Sequence, residues 1–334
     1  MGDARTTPVV LGVDVGSTTV KAVALDPETR EVLWSDYQRH LTKQPEKVLE
    51  LLTAIEAAFP NSPRAEWRIF LTGSGAMPLC AGLGGKFVQE VNAVVAAEGG
   101  RRIWVGSSSG LSLFDNGTRV RTLGEKSGLA SQNVAGISLD PTAGEGVVTL
   151  ATSEGVSQVD GPVTRSVTAF HGLPSNHTYA VAAVAGKTYV GTLGGLAQLN
   201  GLRIERVYST ANSRLPHNWV NAIVAASGRV YVGTYGGGVA VVLPGGDIQP
   251  EEPTKGLEVN PGAMALVGSR LFVGTLRSGV WMLDIDSHRW TKVESVLSSD
   301  NVTAIAANDR YVFLGTENGI TRIELRRLGM GNSQ

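Results

Sequence analysis

One short pattern recurs six times along the C-terminal part of this 334-residue chain. Each copy contains an apolar five-residue strand that ends in Val-Gly-Thr or a close variant. The fourth residue of this strand is called the repeat glycine below, although the second copy has alanine there. The successive spacings are 45, 40, 42, 41 and 41 residues. A fixed period of this kind is typical of repeat architectures and constrains the fold more than any single residue. The six positions are Gly106, Ala151, Gly191, Gly233, Gly274 and Gly315.

A period near 41 residues leaves room for four short strands in each copy. Segments rich in Val, Ile, Tyr and Phe alternate with turns that contain Gly, Asn and Pro, which is typical of strands. One four-stranded sheet cannot bury both of its faces, whereas sheets arranged radially cover each other. A parallel β-helix is the main alternative, but its repeats are much shorter. We therefore predict a mainly β fold with a β-propeller of about six blades over residues 90–328, then a disordered tail over 329–334.

The sixth copy ends soon after Ile323-Glu-Leu without a convincing fourth strand. A closed ring needs that strand from elsewhere, and we expect the segment from Pro78 to Val88 to supply it. The first strand of each copy also places a side chain beside the expected central channel. Such polar groups commonly bind backbone or water, but they are our candidates for contact with a ligand. These candidates are Asn92, Tyr179, Asn221 and Thr303.

The C-terminal copies are similar to a known family. The strings Leu-Pro-Ser-Asn, Val-Asn-Ala-Ile and Val-Tyr-Val-Gly-Thr-Tyr-Gly-Gly-Gly resemble the two-component regulator propeller repeat, over about residues 90–328. Repeats of that family form sensor or interaction propellers, so the resemblance implies a protein or small-molecule ligand on a propeller face. Propellers host many unrelated activities, and the resemblance therefore predicts the fold more sharply than the function.

Residues 1–89 follow a different pattern. We predict strands at residues 9–15, 20–25, 31–39 and 67–71, and a helix that begins at Pro45, because proline suits the first turn of a helix. The helix would bury one apolar face. Its residues are Val48, Leu51, Leu52, Ile55 and Phe59.

The turn Asp14-Val-Gly-Ser-Thr-Thr joins the first two predicted strands. A glycine turn of this kind lets backbone N–H groups and hydroxyls approach phosphate oxygens. The carboxylate at the strand end can hold Mg²⁺ through water, and the nearby Lys21 can offset phosphate charge. A plain β-hairpin with a glycine turn is the alternative interpretation.

The longer N-terminal pattern resembles the activases of 2-hydroxyacyl-CoA dehydratases and benzoyl-CoA reductases, ATPases of the actin and sugar-kinase superfamily. The matching strings are Leu11-Gly-Val-Asp-Val-Gly-Ser-Thr-Thr-Val-Lys-Ala-Val, Tyr37-Gln-Arg-His, Leu71-Thr-Gly-Ser-Gly and Phe87-Val-Gln-Glu-Val, within about residues 8–92. The resemblance implies a truncated actin-like ATPase fragment that binds Mg-ATP. The implied nucleotide-binding residues are Asp14, Gly16, Ser17, Thr18, Thr19 and Lys21.

The departures from the activase pattern argue against catalysis. No second phosphate loop or adenosine-binding segment follows, and half an active site stabilises phosphoryl transfer poorly. Family activases carry a cluster-ligating cysteine in a later glycine-rich loop, whereas Cys80 lies elsewhere, so we expect no iron–sulfur cluster. Our leading hypothesis is therefore a non-catalytic binding or scaffold protein. The alternative is an ATP-binding protein whose remaining site is missing or supplied by another chain.

Charge and composition narrow the partners. The net charge is −1 and no cluster of Lys or Arg stands out, so we expect neither nucleic acid nor a membrane surface as partner. A lone cysteine allows no internal disulfide, and the five histidines lack metal-site spacing, so no metal is expected. Asp14 interrupts the first apolar run, so we expect no secretory signal. No stretch of 18 apolar residues exists, so we expect no transmembrane helix. These features together predict a cytoplasmic protein.

Overall fold

The computed structural model describes residues 9–16, 19–29, 31–73, 75–87, 91–139, 146–294 and 297–329. The chain divides into two compact units, Met1–Glu90 and Val91–Gln334. Each unit is described by itself below.

The N-terminal unit holds a five-stranded mixed sheet and two helices among its described residues. The strand order is β3-β2-β1-β4-β5, with β1, β2 and β3 antiparallel and β1, β4 and β5 parallel. One face of the sheet packs on α1 through Val48, Leu51, Leu52 and Ile55 of the predicted helical face, and Phe59, directly after the helix, is partly buried against the same core. The elements are β1 (Val10–Val15), β2 (Thr19–Leu25), β3 (Val32–Arg39), α1 (Gln44–Ala58), β4 (Arg68–Thr72), α2 (Met77–Leu83) and β5 (Lys86–Phe87).

The segment expected to complete the sixth blade belongs to the N-terminal sheet instead. Its first part is helix α2, which has Pro78 in its first turn and ends at Gly84 in the left-handed conformation. Strand β5 then pairs in parallel with β4. The expectation of a fourth propeller strand from this segment is therefore wrong for residues 78–87, and Val88 lies outside the described residues.

Unit two consists of six antiparallel sheets in chain order among its described residues, which are the predicted propeller blades. The first five have four strands each and the sixth has three. The first three blades are β6 (Val91–Ala97), β7 (Arg102–Ser107), β8 (Gly110–Asp115), β9 (Thr118–Leu123); β10 (Val134–Leu139), β11 (Val148–Thr152), β12 (Gly155–Asp160), β13 (Val163–Val167); and β14 (Thr178–Val184), β15 (Lys187–Thr192), β16 (Gly195–Asn200), β17 (Arg203–Tyr208). The others are β18 (Val220–Ala226), β19 (Arg229–Thr234), β20 (Gly238–Val242), β21 (Ile248–Pro250); β22 (Val259–Val267), β23 (Arg270–Thr275), β24 (Val280–Asp284), β25 (Arg289–Lys292); and β26 (Val302–Ala307), β27 (Tyr311–Thr316), β28 (Gly319–Glu324).

The first strand of each blade packs on the first strand of the next, from β6 through β10, β14, β18 and β22 to β26. The prediction of a β-propeller is thereby confirmed. At four of these interfaces, a Cβ atom on the repeat glycine would lie 2.6–2.9 Å from an atom of the next blade's first valine. The glycine is therefore required for the close approach of the two sheets. The pairs are Gly106 with Val134, Gly191 with Val220, Gly233 with Val259, and Gly274 with Val302.

The two ends of the blade array are exposed. The described residues show no packing of β26 on β6 comparable to that between the other first strands. Val94 of the first blade is 59% exposed, whereas Val181 and Met264 at the same repeat position are each 8% exposed. Ile320 of the sixth blade is 75% exposed, and its five counterparts are all 0% exposed. The six blades therefore form an open arc. The counterparts are Leu111, Val156, Leu196, Val239 and Val280.

Candidate functional site: the loop face of the propeller

One backbone hydrogen bond recurs at five places along one face of the blades. The residue after the second strand donates its N–H to the carbonyl of the residue before the first strand, at 2.9–3.4 Å. Because these bonds use backbone atoms, the fold leaves the ten side chains free to differ, and they do differ in charge, size and polarity. We call these ten residues the loop face. They are Ser153 with Asn133, Leu193 with His177, Tyr235 with Trp219, Leu276 with Glu258, and Glu317 with Asn301.

An aromatic group lies on the loop face where the third and fourth blades meet. The ring of Trp219 contacts that of Tyr235 at a centroid distance of 4.5 Å and that of Tyr179 at 5.5 Å, with interplanar angles of 32° and 44°. All three side chains are partly exposed. Tilted aromatic pairs of this kind contribute about 0.5–1.5 kcal/mol beyond their area burial, so the group is a rigid apolar platform. The indole N–H of Trp219 has no acceptor among the described residues.

Charged and apolar side chains extend this surface. Glu258 forms a β-bridge with Tyr235, and its carboxylate lies 3.1 Å from the guanidinium of the exposed Arg277. The arginine of this pair is largely exposed, and its ion pair contributes little to stability, so its charge is accessible to a ligand. Phe170, which is 95% exposed, lies in the connection that leads to His177. The surface thus combines aromatic rings, an isolated large hydrophobe and paired charges.

The fold uses the amides of two predicted channel residues to join neighbouring blades. Asn92 donates to the carbonyl of Val134 at 3.1 Å, and the buried Asn221 donates to that of Val259 at 2.6 Å. The hydroxyl of Thr303 lies 3.4 Å from the carbonyl of Gly315 in its own blade. The remaining predicted channel residue, Tyr179, belongs to the aromatic platform.

Sequence reasoning missed three residues of this region. Asn260 donates to the carbonyl of Val302 at 2.7 Å and repeats the Asn92 and Asn221 bond, but an irregular pairing between Val259 and Met264 hides it from the repeat alignment. Trp219 and Tyr235 flank the first and second strands of their blade, where the other copies carry unrelated residue types. That variation at a fixed repeat position was the available signal for both.

The predicted nucleotide site lies at the carboxyl end of β1 in the N-terminal unit. Asp14 has one buried carboxylate oxygen without a partner among the described residues, and the other lies 3.6 Å from Lys21 Nζ. Gly16 donates its N–H to the carbonyl of Thr19, which closes the turn at 2.9 Å. The carbonyl of Gly16 accepts the side-chain amide of Gln44 at 2.9 Å. Two further predicted residues, Ser17 and Thr18, lie outside the described residues.

A second glycine loop meets this turn. Strands β1 and β4 are parallel, so both of their carboxyl ends lie at one edge of the sheet. Gly73, after β4, has φ of +94°, and a Cβ there would lie 2.6 Å from the Asp14 carboxylate. Gly75 donates its N–H to the carbonyl of Val15 at 2.9 Å. The fold therefore brings Asp14 and Val15 together with Gly73 and Gly75, which are far apart from them in the sequence.

A hollow of about 350 Å³ lies beside Asp14 and Lys21, on the sheet face opposite α1. The half-buried Cys80 donates its thiol to the carbonyl of Ala76 at 3.4 Å and packs at the edge of the core. Across the described ranges, no three His, Cys, Asp or Glu side chains are grouped to hold a metal ion. None of the helices in the described part of the chain is long and apolar enough to cross a membrane.

No protein-family model and no curated protein matches this sequence. Among solved structures, the chain is similar to the extracellular domain of BT4673 from B. thetaiotaomicron, described as a one-component system, with 18% identity, a TM-score of 0.57, and coverage of 70% of this chain and 33% of that chain. PorZ of the Porphyromonas gingivalis type-IX secretion system gives 16% identity, a TM-score of 0.55, and coverage of 69% and 38%. The WD40 propeller domain of Doa1 gives 10% identity, a TM-score of 0.55, and coverage of 96% and 93%.

These similarities show the β-propeller fold. The chain spans about a third of the length of the first two structures it matches. Those two matches cover about seven-tenths of this chain. Because the neighbours include an extracellular domain, they lend no support to the cytoplasmic location, which stays a prediction.

Proposed function

We propose that the propeller is a non-catalytic recognition module that binds a protein or small-molecule ligand on its loop face. The observation that carries this proposal is the Tyr179–Trp219–Tyr235 platform, which is partly exposed and spans two blades. Aromatic anchors of this kind dominate binding energy at interfaces, because they bury a large area with little loss of side-chain entropy. The adjacent Glu258 and Arg277 would orient a polar ligand.

The proposal is tested with a library of aromatic and peptide-like fragments, screened by saturation-transfer NMR against wild type and Trp219→Ala. Tyr311→Ala is the matched control, since Tyr311 is a partly exposed aromatic at the opposite end of the strands. We expect fragments whose affinity falls at least about tenfold, or about 1.4 kcal/mol, in Trp219→Ala alone. Fragments that bind all three folded proteins equally would refute a role for the platform.

A second candidate function is Mg-ATP binding at the N-terminal turn. It is favoured by the buried oxygen of Asp14, which has no partner in the described part of the chain, and by the convergence of two glycine loops on it. A carboxylate so placed would hold Mg²⁺ through water, and the loop amides would contact phosphate. Titration calorimetry with Mg²⁺ and ATP should give binding that Asp14→Asn abolishes and that Asp36→Asn, at a partly exposed position of β3, retains. Absence of heat at millimolar nucleotide would exclude this function. Turnover is not expected, and robust hydrolysis lost in Asp14→Ala would contradict the non-catalytic proposal.

A further inference from the structure

We propose that the two ends of the blade arc are complementary faces through which this chain docks head to tail with a second copy of itself. The sixth blade offers the face that accepts a following blade, and the first blade offers the face that packs on a preceding one. Each face has counterparts at the interfaces within the same molecule.

The free face of the sixth blade keeps an empty acceptor position. At four interfaces the repeat glycine makes room for the first valine of the next blade. Gly315 holds this position in the sixth blade, but the nearest atom to a Cβ built on it is Ala304 Cβ of its own blade, at 3.3 Å. Ile320, directly opposite Gly315 on β28, is exposed where its counterparts are buried. A valine from another blade therefore fits here.

The free face of the first blade presents the matching valine. Val91 begins β6 at the repeat position of the received valines, and it is 54% exposed. Val94 on the same strand is exposed, whereas two of its counterparts, Ile137 and Met264, lie 3.3 Å and 2.7 Å from a Cβ built on the repeat glycine of the preceding blade. The exposed valines of the first blade therefore match the uncovered glycine and isoleucine of the sixth blade.

The side-chain hydrogen bond that joins neighbouring blades also has a candidate donor on the sixth blade. At three interfaces the second residue of the first strand donates to the carbonyl of the next blade's first valine. Thr303 holds this position in the sixth blade, and its hydroxyl is exposed and makes a long bond within its own blade. It is placed to donate to the carbonyl of an incoming Val91 instead.

A second copy fits these faces better than closure within one chain. Closing the arc would require rotation at interfaces whose glycine–valine contacts are already tight and whose asparagines are already bonded. Docking of another copy changes none of them. Because the two faces are different, the contact is heterologous, and association continues until a ring closes or a filament forms.

Disulfide trapping tests the contact directly. In a Cys80→Ser background, one protein carries Val91→Cys and a second carries Gly315→Cys. At two existing interfaces, a Cβ built on the repeat glycine lies 3.1 Å from the Cβ of the next blade's first valine. This distance is close to the separation of about 3.5–4.5 Å that a disulfide spans. Mixed under oxidation, the pair should form a linked heterodimer on a non-reducing gel. Replacing Val91→Cys by Val163→Cys, on the exposed outer strand of the second blade, should give none.

Equal cross-linking of the Val163 control would overturn the proposal. A chain with both Val91→Cys and Gly315→Cys provides the other decisive outcome, because a fast intramolecular bond in the monomer would show ring closure instead. Sedimentation velocity gives an independent measurement. Wild type should associate with rising concentration, Ile320→Arg should weaken association more than about tenfold, and Val163→Arg should leave it unchanged. A wild type that stays monomeric at all concentrations would also overturn it.

Discussion

The repeat glycines allow a matched pair of substitutions at one position of the blade. Gly233→Ala places a methyl group 2.6 Å from Val259 Cγ1 and 2.7 Å from Met264 Sδ in the next blade. Gly315→Ala places the same methyl group at the free end of the arc, 3.3 Å from its own Ala304. Both glycines lie in β-strands with ordinary backbone angles, so neither substitution introduces backbone strain.

The effects of the two substitutions on stability should differ only by the cost of packing the added methyl group. Replacing glycine by alanine restricts the unfolded chain and stabilises by about 0.4–1 kcal/mol at either site. Overpacking a tight interface costs about 1–3 kcal/mol, and this cost applies to Gly233→Ala. We therefore expect Gly315→Ala to be neutral or slightly stabilising and Gly233→Ala to be destabilising. A difference near 2 kcal/mol corresponds to roughly 4–8 °C in Tm for a domain of this size.

Scanning calorimetry and urea unfolding followed by circular dichroism measure the difference. The measurements are made at low protein concentration, so that contact between copies does not bury Gly315. Equal destabilisation by the two alanines would refute the open arc, because it would mean that the Gly315 position is as closely packed as Gly233. Equal neutrality would instead refute the role assigned to the glycine–valine contacts.

Two further predictions concern polar groups of the blades. Asn221→Ala should destabilise the propeller by about 1–3 kcal/mol, because it removes a buried donor, whereas Asn92→Ala, at an exposed counterpart, should cost less than about 1 kcal/mol; urea midpoints compare them. A reversed order would contradict the burial argument. Two hydrogen bonds from Ser287 lower the pKa of Asp284 below 3.8, the larger effect coming from the backbone N–H and the smaller from the hydroxyl. The stabilisation that these bonds provide is therefore present above that pH and is lost as the pH falls through the folded-state pKa. Asp284→Asn should therefore unfold with a weaker acid dependence than wild type in Tm measured against pH, and an unchanged acid dependence would count against this assignment.

Local elements of both units could be predicted from the sequence because their signals are local. The strand Arg229–Thr234 follows from its β-branched residues and glycine, and α1 follows from apolar residues at helical spacing. Helix α2 was missed, although Pro78 in its first turn and Gly84 after its end are recognisable helix signals. The apolar residues of this segment are also compatible with a short strand, which is what closure of the sixth blade would require.

The open arc could not be predicted from the repeats. Closure depends on the small rotation between neighbouring blades, and this rotation accumulates over all of them. No residue encodes that sum, and Gly315 has the same identity as glycines that are closely packed. Variation at a fixed repeat position marks Trp219 and Tyr235, but their contact with Tyr179 could not be predicted, because Tyr179 and Trp219 lie on different copies of the repeat, 40 residues apart in the sequence. Their proximity follows from tertiary packing alone.

Gly315 has a consequence for how such a chain can change length. Because the sixth blade leaves the glycine position that accepts a valine uncovered, a duplicated copy of the repeat inserted after Glu324 would find its contact surface already made. The new terminal blade would carry the same glycine and would be equally ready for the next insertion. An array of this kind can therefore gain units by in-frame duplication without a compensating substitution elsewhere, since stability in stacked repeats is set by contacts between neighbours.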